Sequence, residues 1–340
     1  MTYASGGTIQ ATDYNTLSWG GTQGTYTASP NNIAYVMGRG TGQVGYGQDL
    51  GLINTVSAAG TVTAAQWAGL VFLLNRALAH QSGSGAQLAT GSNINMTAGE
   101  TITHFANVAT AVTTINTNAA LSSTNGSTTT GSTFSPNQTA ANQTASSTFT
   151  FTRTVTFASG DAARYFFNSG GKITFAHISA VNNDGTQRTG GLTTLMGQIS
   201  NIVNIGGTTN GGRSGTGGTA TTANTAVGYW NAGTTPGTAM VRISTAAGTY
   251  SGDYIEVRLR TNGVQGSNAD VGSILFLDFT IFSAAEPSYA APGANPPGTG
   301  TTTTNITTED SINYTWNHRI DIVYPESTYL TATWGTPTVS

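Results

Sequence analysis

From Thr148 to Phe157 polar and apolar residues alternate strictly. Phe149, Phe151, Val155 and Phe157 fall on one face, and threonines occupy the other. A period of two marks a half-buried β-strand. Arg153 lies on the apolar side and so needs a partner. The same period places Ile255, Val257 and Leu259 inside, with Glu256, Arg258 and Arg260 outside. It also predicts strands over Lys172–Ile178 and Ala239–Thr245. In Ile312–Tyr324 the apolar face carries Ile312, Tyr314, Trp316, Ile320, Ile322 and Tyr324. Ser273–Ser283 is apolar on both faces, which places it centrally in a sheet.

The helical period appears earlier. Thr63-Ala-Ala-Gln66 reads as a capping box, followed by Trp67, Leu70, Val71, Leu74, Ala77 and Leu78 at helical spacing and a stop near Gly83. Thr97-Ala-Gly-Glu100 reads as a second capping box, opening a helix with Ile102, Phe105, Val108, Val112 and Ile115 on one face. Ser159 predicts the cap of a short helix over Asp161–Asn168, ended by Gly170-Gly171. Leu192, Leu195, Ile199, Ile202 and Val203 predict another. The first 60 or so residues read as Gly-punctuated chain with apolar islands at Ile33–Met37 and Leu50–Ile53.

Three stretches carry no period. Residues 121–147 are rich in Ser, Thr, Asn and Gly and read as a linker. Residues 206–225 and Pro287–Thr304 read as exposed loops. The expected fold class is mainly β with a few helices. Residues 1–120 form a mixed, helical attachment and oligomerisation module. After the 121–147 linker, residues 148–340 form an antiparallel β-sandwich, jelly-roll-like domain.

Composition narrows the function. Charged residues are 7% of the chain, against roughly 25% in ordinary soluble domains. Glycine occupies 45 positions and the net charge is −3. Hydroxyls and amides must keep such a surface in water, which suits β-rich shells and fibres partly covered by sister subunits. Aromatics at 9% argue for folded elements rather than disorder. The 11 basic residues are scattered, so no nucleic-acid footprint is expected. There is no cysteine, and therefore no disulfide or thiolate site. Met1–Ile9 has no basic or apolar run, so no signal peptide is expected. The apolar run Trp67–Leu78 is too short to cross a bilayer, so membrane insertion is not expected.

Candidate chemistry is thin. Gly40-Thr-Gly-Gln-Val-Gly45 matches G-x-G-x-x-G, but no helix pattern follows and no acid lies between 50 and 99, so it reads as a turn. His80, His104, His177 and His318 show no ligand spacing, and His177 and His318 read as core histidines on strand faces. No metal, cofactor or catalytic residue is assigned. Asp278 stands within an apolar strand and calls for a structural ion pair, with Arg153 or Arg164 as partner. Trp230 and Trp334 lie near loops or ends, where they could stack on sugars, though packing is the commoner role for such residues.

The run Phe157-Ala-Ser-Gly-Asp-Ala-Ala-Arg-Tyr-Phe-Phe-Asn-Ser-Gly-Gly-Lys-Ile173 resembles a segment of virion structural proteins of tailed bacteriophages. In that segment an Ala-Arg-x-Phe-Phe-Asn-x-Gly-Gly core joins two strands. Arg164, Phe166, Phe167, Asn168, Gly170 and Gly171 match that core. Ile9–Leu17, Gly40–Gln48 and Val62–Leu70 are similar to a module of phage structural proteins, many of them from marine and cyanobacterial phages. The resemblance covers about a sixth of the chain and implies a virion component. It points to a tail-associated or appendage protein, non-enzymatic, working as a homo-oligomer with other virion structural proteins. The alternatives are a capsid-decorating or head-fibre protein and a fibre module that grips a host surface glycan. A depolymerase would need paired carboxylates across a cleft, for which the sequence offers no support.

Overall fold

The computed structural model describes residues 9–39, 45–51, 53–89, 102, 104–119, 121–140, 146–199, 203–206, 238–244, 252–263, 271–285 and 311–340. The second expected capping box, the loop after residue 206, Trp230 and the Pro287–Thr304 excursion lie outside these residues, as does most of Gly40–Gly45.

Four helices open the chain: α1 (Ala11–Trp19), α2 (Ile33–Met37), α3 (Ala64–Ser82) and α4 (Phe105–Thr117). The α3 capping box is present. The Thr63 hydroxyl accepts from the Gln66 amide at 3.2 Å, and the Gln66 side chain accepts from the Thr63 amide at 3.0 Å. Trp67, Leu70, Val71, Leu74, Ala77 and Leu78 are all buried, and Trp67 stacks on Phe105 of α4 with centroids 6.2 Å apart. The pattern did not predict α1. Its polar and apolar residues share no face, and only Tyr14, Leu17 and Trp19 reach the core. It ends at Gly20, φ 72°, where the Gly20 and Gly21 amides donate to Thr16 and Asn15.

The rest is two antiparallel five-stranded sheets with two helices, which makes the protein mixed α and β. The first sheet contains β1 (Asn125–Thr129), β2 (Asn137–Ala140), β4 (Lys172–Asn182), β5 (Val203–Gly206) and β9 (Ile312–Pro325). The second runs in the order β10 (Thr338–Val339), β3 (Ser147–Thr156), β8 (Ile274–Ser283), β7 (Tyr254–Thr261) and β6 (Thr238–Ser244). As expected, β8 is central. Its inward positions Leu275, Leu277, Phe279 and Ile281 are buried.

The expected linker is instead an interrupted edge strand. β1 pairs with the end of β9, from Thr129 opposite Ile322, and β2 pairs with its start, Ala140 opposite Ile312. Between them Phe134 and His318 exchange both backbone hydrogen bonds. The physical reason is that β9 is long and its outer edge needs partners for its N–H and C=O groups. A Ser/Thr/Asn segment can supply them without any apolar side chain.

Helix α5 (Gly160–Asn168) follows β3, and α6 (Gln187–Gln198) follows β4. α6 begins earlier than its apolar positions predict and stops before Val203, which is in a strand. One hydrophobic cluster runs from Tyr14, Met37 and Leu74 through Phe166 and Phe167 to Phe279 and Trp316. The helices and the sheets therefore share a core.

Candidate functional site

The run that carries the resemblance forms a joint. Ser159 caps α5, its hydroxyl accepting from the Ala162 amide at 3.0 Å. Phe166 and Phe167 are buried against Phe157, with centroids 5.3 and 5.7 Å away, and Phe166 meets Tyr324 edge-on at 6.1 Å. Gly170 sits at φ 94°, and a Cβ on Gly171 would come within 2.7 Å of the Phe166 ring. The reversal into β4 therefore requires both glycines. The buried Arg164 side chain donates to Asp161 at 2.9 Å and lies over the Tyr165 ring. Asp278, an expected partner of that guanidinium, is paired elsewhere, and the ion pair of Arg164 is with the acid one helical turn earlier.

Chain from both ends is fastened to this joint. The Asn168 side chain donates to the Gly45 carbonyl at 3.2 Å. A Cβ on Gly47, at φ 71°, would lie 2.4 Å from Tyr165, so only glycine lets this loop close on α5. Gln48 donates to the Thr331 carbonyl at 3.0 Å and accepts from its amide at 2.7 Å. Arg76 of α3 reaches the Tyr329 carbonyl. Between these parts His80 is buried, with Tyr46 edge-on to its ring at 5.1 Å. Burial holds its pKa down at about 4, although nearby Glu326 and the Ser169 backbone act in the opposite direction.

Arg153 and Asp278, paired with each other in expectation, lie on opposite faces of the second sheet. Arg153 points inward. Its Nε donates to Nε2 of fully buried His318 at 3.1 Å, and its guanidinium lies 3.6 Å over the Phe134 ring. His318 Nδ1 faces the Trp316 carbonyl at 3.2 Å, which fits a neutral ring protonated on Nδ1. Burial, then the Arg153 charge, lower the His318 pKa to about 4. Trp316 Nε1 donates to His177 Nδ1 at 2.9 Å, and burial lowers the His177 pKa too. Phe151 of the second sheet meets Trp316 of the first edge-on at 5.5 Å. The reading as a core histidine agrees with this geometry for His318, whereas His177 is hydrogen-bonded but only half-buried.

Asp278 points outward and is half-buried. Arg260 donates to it at 2.6 Å and the Thr152 hydroxyl at 2.7 Å. The ion pair exists, but with a partner one strand away. Strand parity carried the signal, because Arg260 and Asp278 both stand opposite to the buried positions of their strands.

Sequence reasoning missed a third group. Arg188 of α6 is fully buried and donates to the Ser283 hydroxyl and the Ala284 carbonyl, each at 2.9 Å. Asp253 Oδ1 accepts from the Ala284 amide at 2.7 Å, while its other oxygen has no partner. Burial raises the Asp253 pKa to about 6. These residues pin α6 across the ends of β7 and β8.

Among the described residues no group of three or more His, Cys, Asp or Glu could hold a metal ion, and no helix is long and apolar enough to cross a membrane. A cleft of about 390 Å³ between α1 and the 48–54 segment is lined by Trp19, Tyr26, Arg39 and Asp49, with amides of Gln23 and Asn54. Asp49 is the one carboxylate on its wall. Trp334 is buried and offers no stacking face.

The chain matches no protein-family model, no curated protein and no solved structure.

Proposed function

We propose that this chain is a structural, non-enzymatic subunit of a tailed-phage virion, tail-associated or part of an appendage. The observation that supports this is the use made of the segment resembling virion proteins. Phe166, Phe167, Asn168, Gly170 and Gly171 are spent on joining α5 to β3, β9, β4 and the loop at Gly45, and Arg164 on an ion pair within α5. Such a joint suits a part that bears load between neighbours. The two sheets are read as a β-sandwich of jelly-roll-like kind, since aromatic side chains of both meet around Trp316. The charge-poor surface suits burial against further copies of the chain and other virion proteins.

The test is immunogold electron microscopy of particles from the source lysate, with antibody against this chain. Gold on tails or appendages is the expected result. Gold over heads would replace the tail placement with capsid decoration, and particles without gold would end the virion reading.

A further inference from the structure

We propose that the outward face of the second sheet binds an extended acidic polysaccharide. The helix that meets β6, β7 and β8, α6, reaches them from the buried side through Arg188 and Ser283, and Thr148, Thr150 and Thr152 stand exposed along β3. In a chain only 7% charged, Arg242, Glu256, Arg258, Arg260 and Asp278 project from three adjacent strands onto it. Both acids are already engaged at 2.6 Å, Glu256 by Arg258 and Asp278 by Arg260. Arg242 has no carboxylate partner among the described residues, and its guanidinium lies 3.6 Å over the Tyr254 ring. Among the described residues Arg242 is therefore a cation of this face without a carboxylate paired to it.

Its layout is periodic. Tyr254 stacks on Phe282 at one end with centroids 4.9 Å apart, and Phe276 stands at the other under Arg260. The six residue steps from Phe276 to Phe282 span about 20 Å of strand. Between these aromatic stations, threonine hydroxyls recur on β3 every ~6.8 Å.

A folded protein partner would want a dry apolar centre, and the centre of this face is Thr150, Thr280, Glu256 and the ion pairs. A carboxylate-bearing sugar chain uses every part of it. Its hydroxyls meet the threonines, and a carboxylate takes Arg242, which Tyr254 holds in place, in a two-bond fork. This reading does not depend on the particle to which the chain belongs.

The test is affinity electrophoresis of the full chain in gels holding a polyuronate, alginate, or neutral dextran, at low salt. Retardation by alginate alone, weakened at least tenfold in Arg242→Gln and in Tyr254→Ala, is expected, as is weakening by added salt. Asn317→Ala, on the outward face of the first sheet, should bind as the parent does. Circular dichroism shows that each variant is folded. Arg242→Gln, half-buried at the sheet edge, removes the charge but keeps part of the stem and an N–H donor, so it remains informative if Tyr254→Ala misfolds. No retardation by alginate, equal retardation by dextran, or unchanged binding in folded Arg242→Gln would each overturn the proposal.

Discussion

The two faces of the second sheet solve the same problem in opposite ways. Each carries arginine in a strongly β-patterned environment. Inward, Arg153 meets no carboxylate among the described residues. It spends its charge on the Phe134 ring and on a neutral histidine, within an aromatic cluster centred on Trp316. Outward, Arg260 is half-buried and meets Asp278 directly. The difference follows from solvent. A full ion pair inside would have to recover two desolvation costs, whereas a ring face and an imidazole lone pair need no second buried charge. Outside, water lowers both the cost and the value of a pair. The inward arrangement should therefore be expensive to disturb and sensitive to acid, and the outward one cheap to disturb.

The largest effect should come from the centre of the inward cluster. Trp316→Ala removes a fully buried ring and strips His177 of its indole donor. A cost of about 3–5 kcal/mol is expected. Urea unfolding measures it, and a loss below ~1 kcal/mol would mean that the two sheets do not share this core.

Acid should come next. His80 and His318 have folded-state pKa values near 4, below the ordinary 6.5. An unfolded chain takes up those protons first, so their contribution is complete above pH 6.5 and is lost as pH falls toward 4. Each is worth on the order of 3 kcal/mol over that window. Asp253 acts in the reverse sense. Its folded pKa is raised to about 6, so its contribution is present at low pH and lost as pH rises through 6. Two histidines against one aspartate leave a net loss in acid. Melting temperatures from pH 4 to 7.5 should fall on the acid side, less steeply in His318→Gln and more steeply in Asp253→Asn. A flat profile in the parent protein would contradict the neutral histidines.

How much of this contrast could be read from sequence depends on where the specifying signal lies. α3 and β3 carry their own signals, a capping box in one and strict alternation in the other. The cap and the matching residues of α5 were legible for the same reason. β1 and β2 carry none. Their Ser, Thr and Asn side chains match those of a solvated linker, and the edge of β9 imposes the strand. The inward Arg153 was visible as a break in a pattern, but its partners come from residues 134 and 318, which no local spacing connects. Asp278 was taken for a buried acid because its strand is apolar on both faces. Arg188 and Asp253 gave no sign at all, because their burial depends on how α6 crosses the strand ends.

A smaller effect separates the roles of the inward arginine. Arg153→Met keeps an unbranched apolar stem but removes the cation from the Phe134 ring and the donor from His318 Nε2. About 1–2 kcal/mol should be lost at neutral pH. The charge that depresses the His318 pKa also disappears. The imidazole should then protonate at higher pH, moving part of the acid transition upward. A stability loss with the acid transition unmoved would mean that the guanidinium acts through packing alone.

The smallest effect should lie outside. Asp278→Asn keeps the shape of the side chain and an oxygen to accept from Thr152 and Arg260. Arg260 still has the Phe276 ring beneath it, 3.9 Å from its guanidinium. The pair is partly solvated, with 28% of each side chain exposed, so the loss should stay below about 1 kcal/mol and shrink further in salt. Urea unfolding at low and high salt measures both. A loss above ~2 kcal/mol that salt does not reduce would show that the outward pair is desolvated in solution. The outward face would then have to be covered by something, and the contrast between the two faces would become one between two interiors.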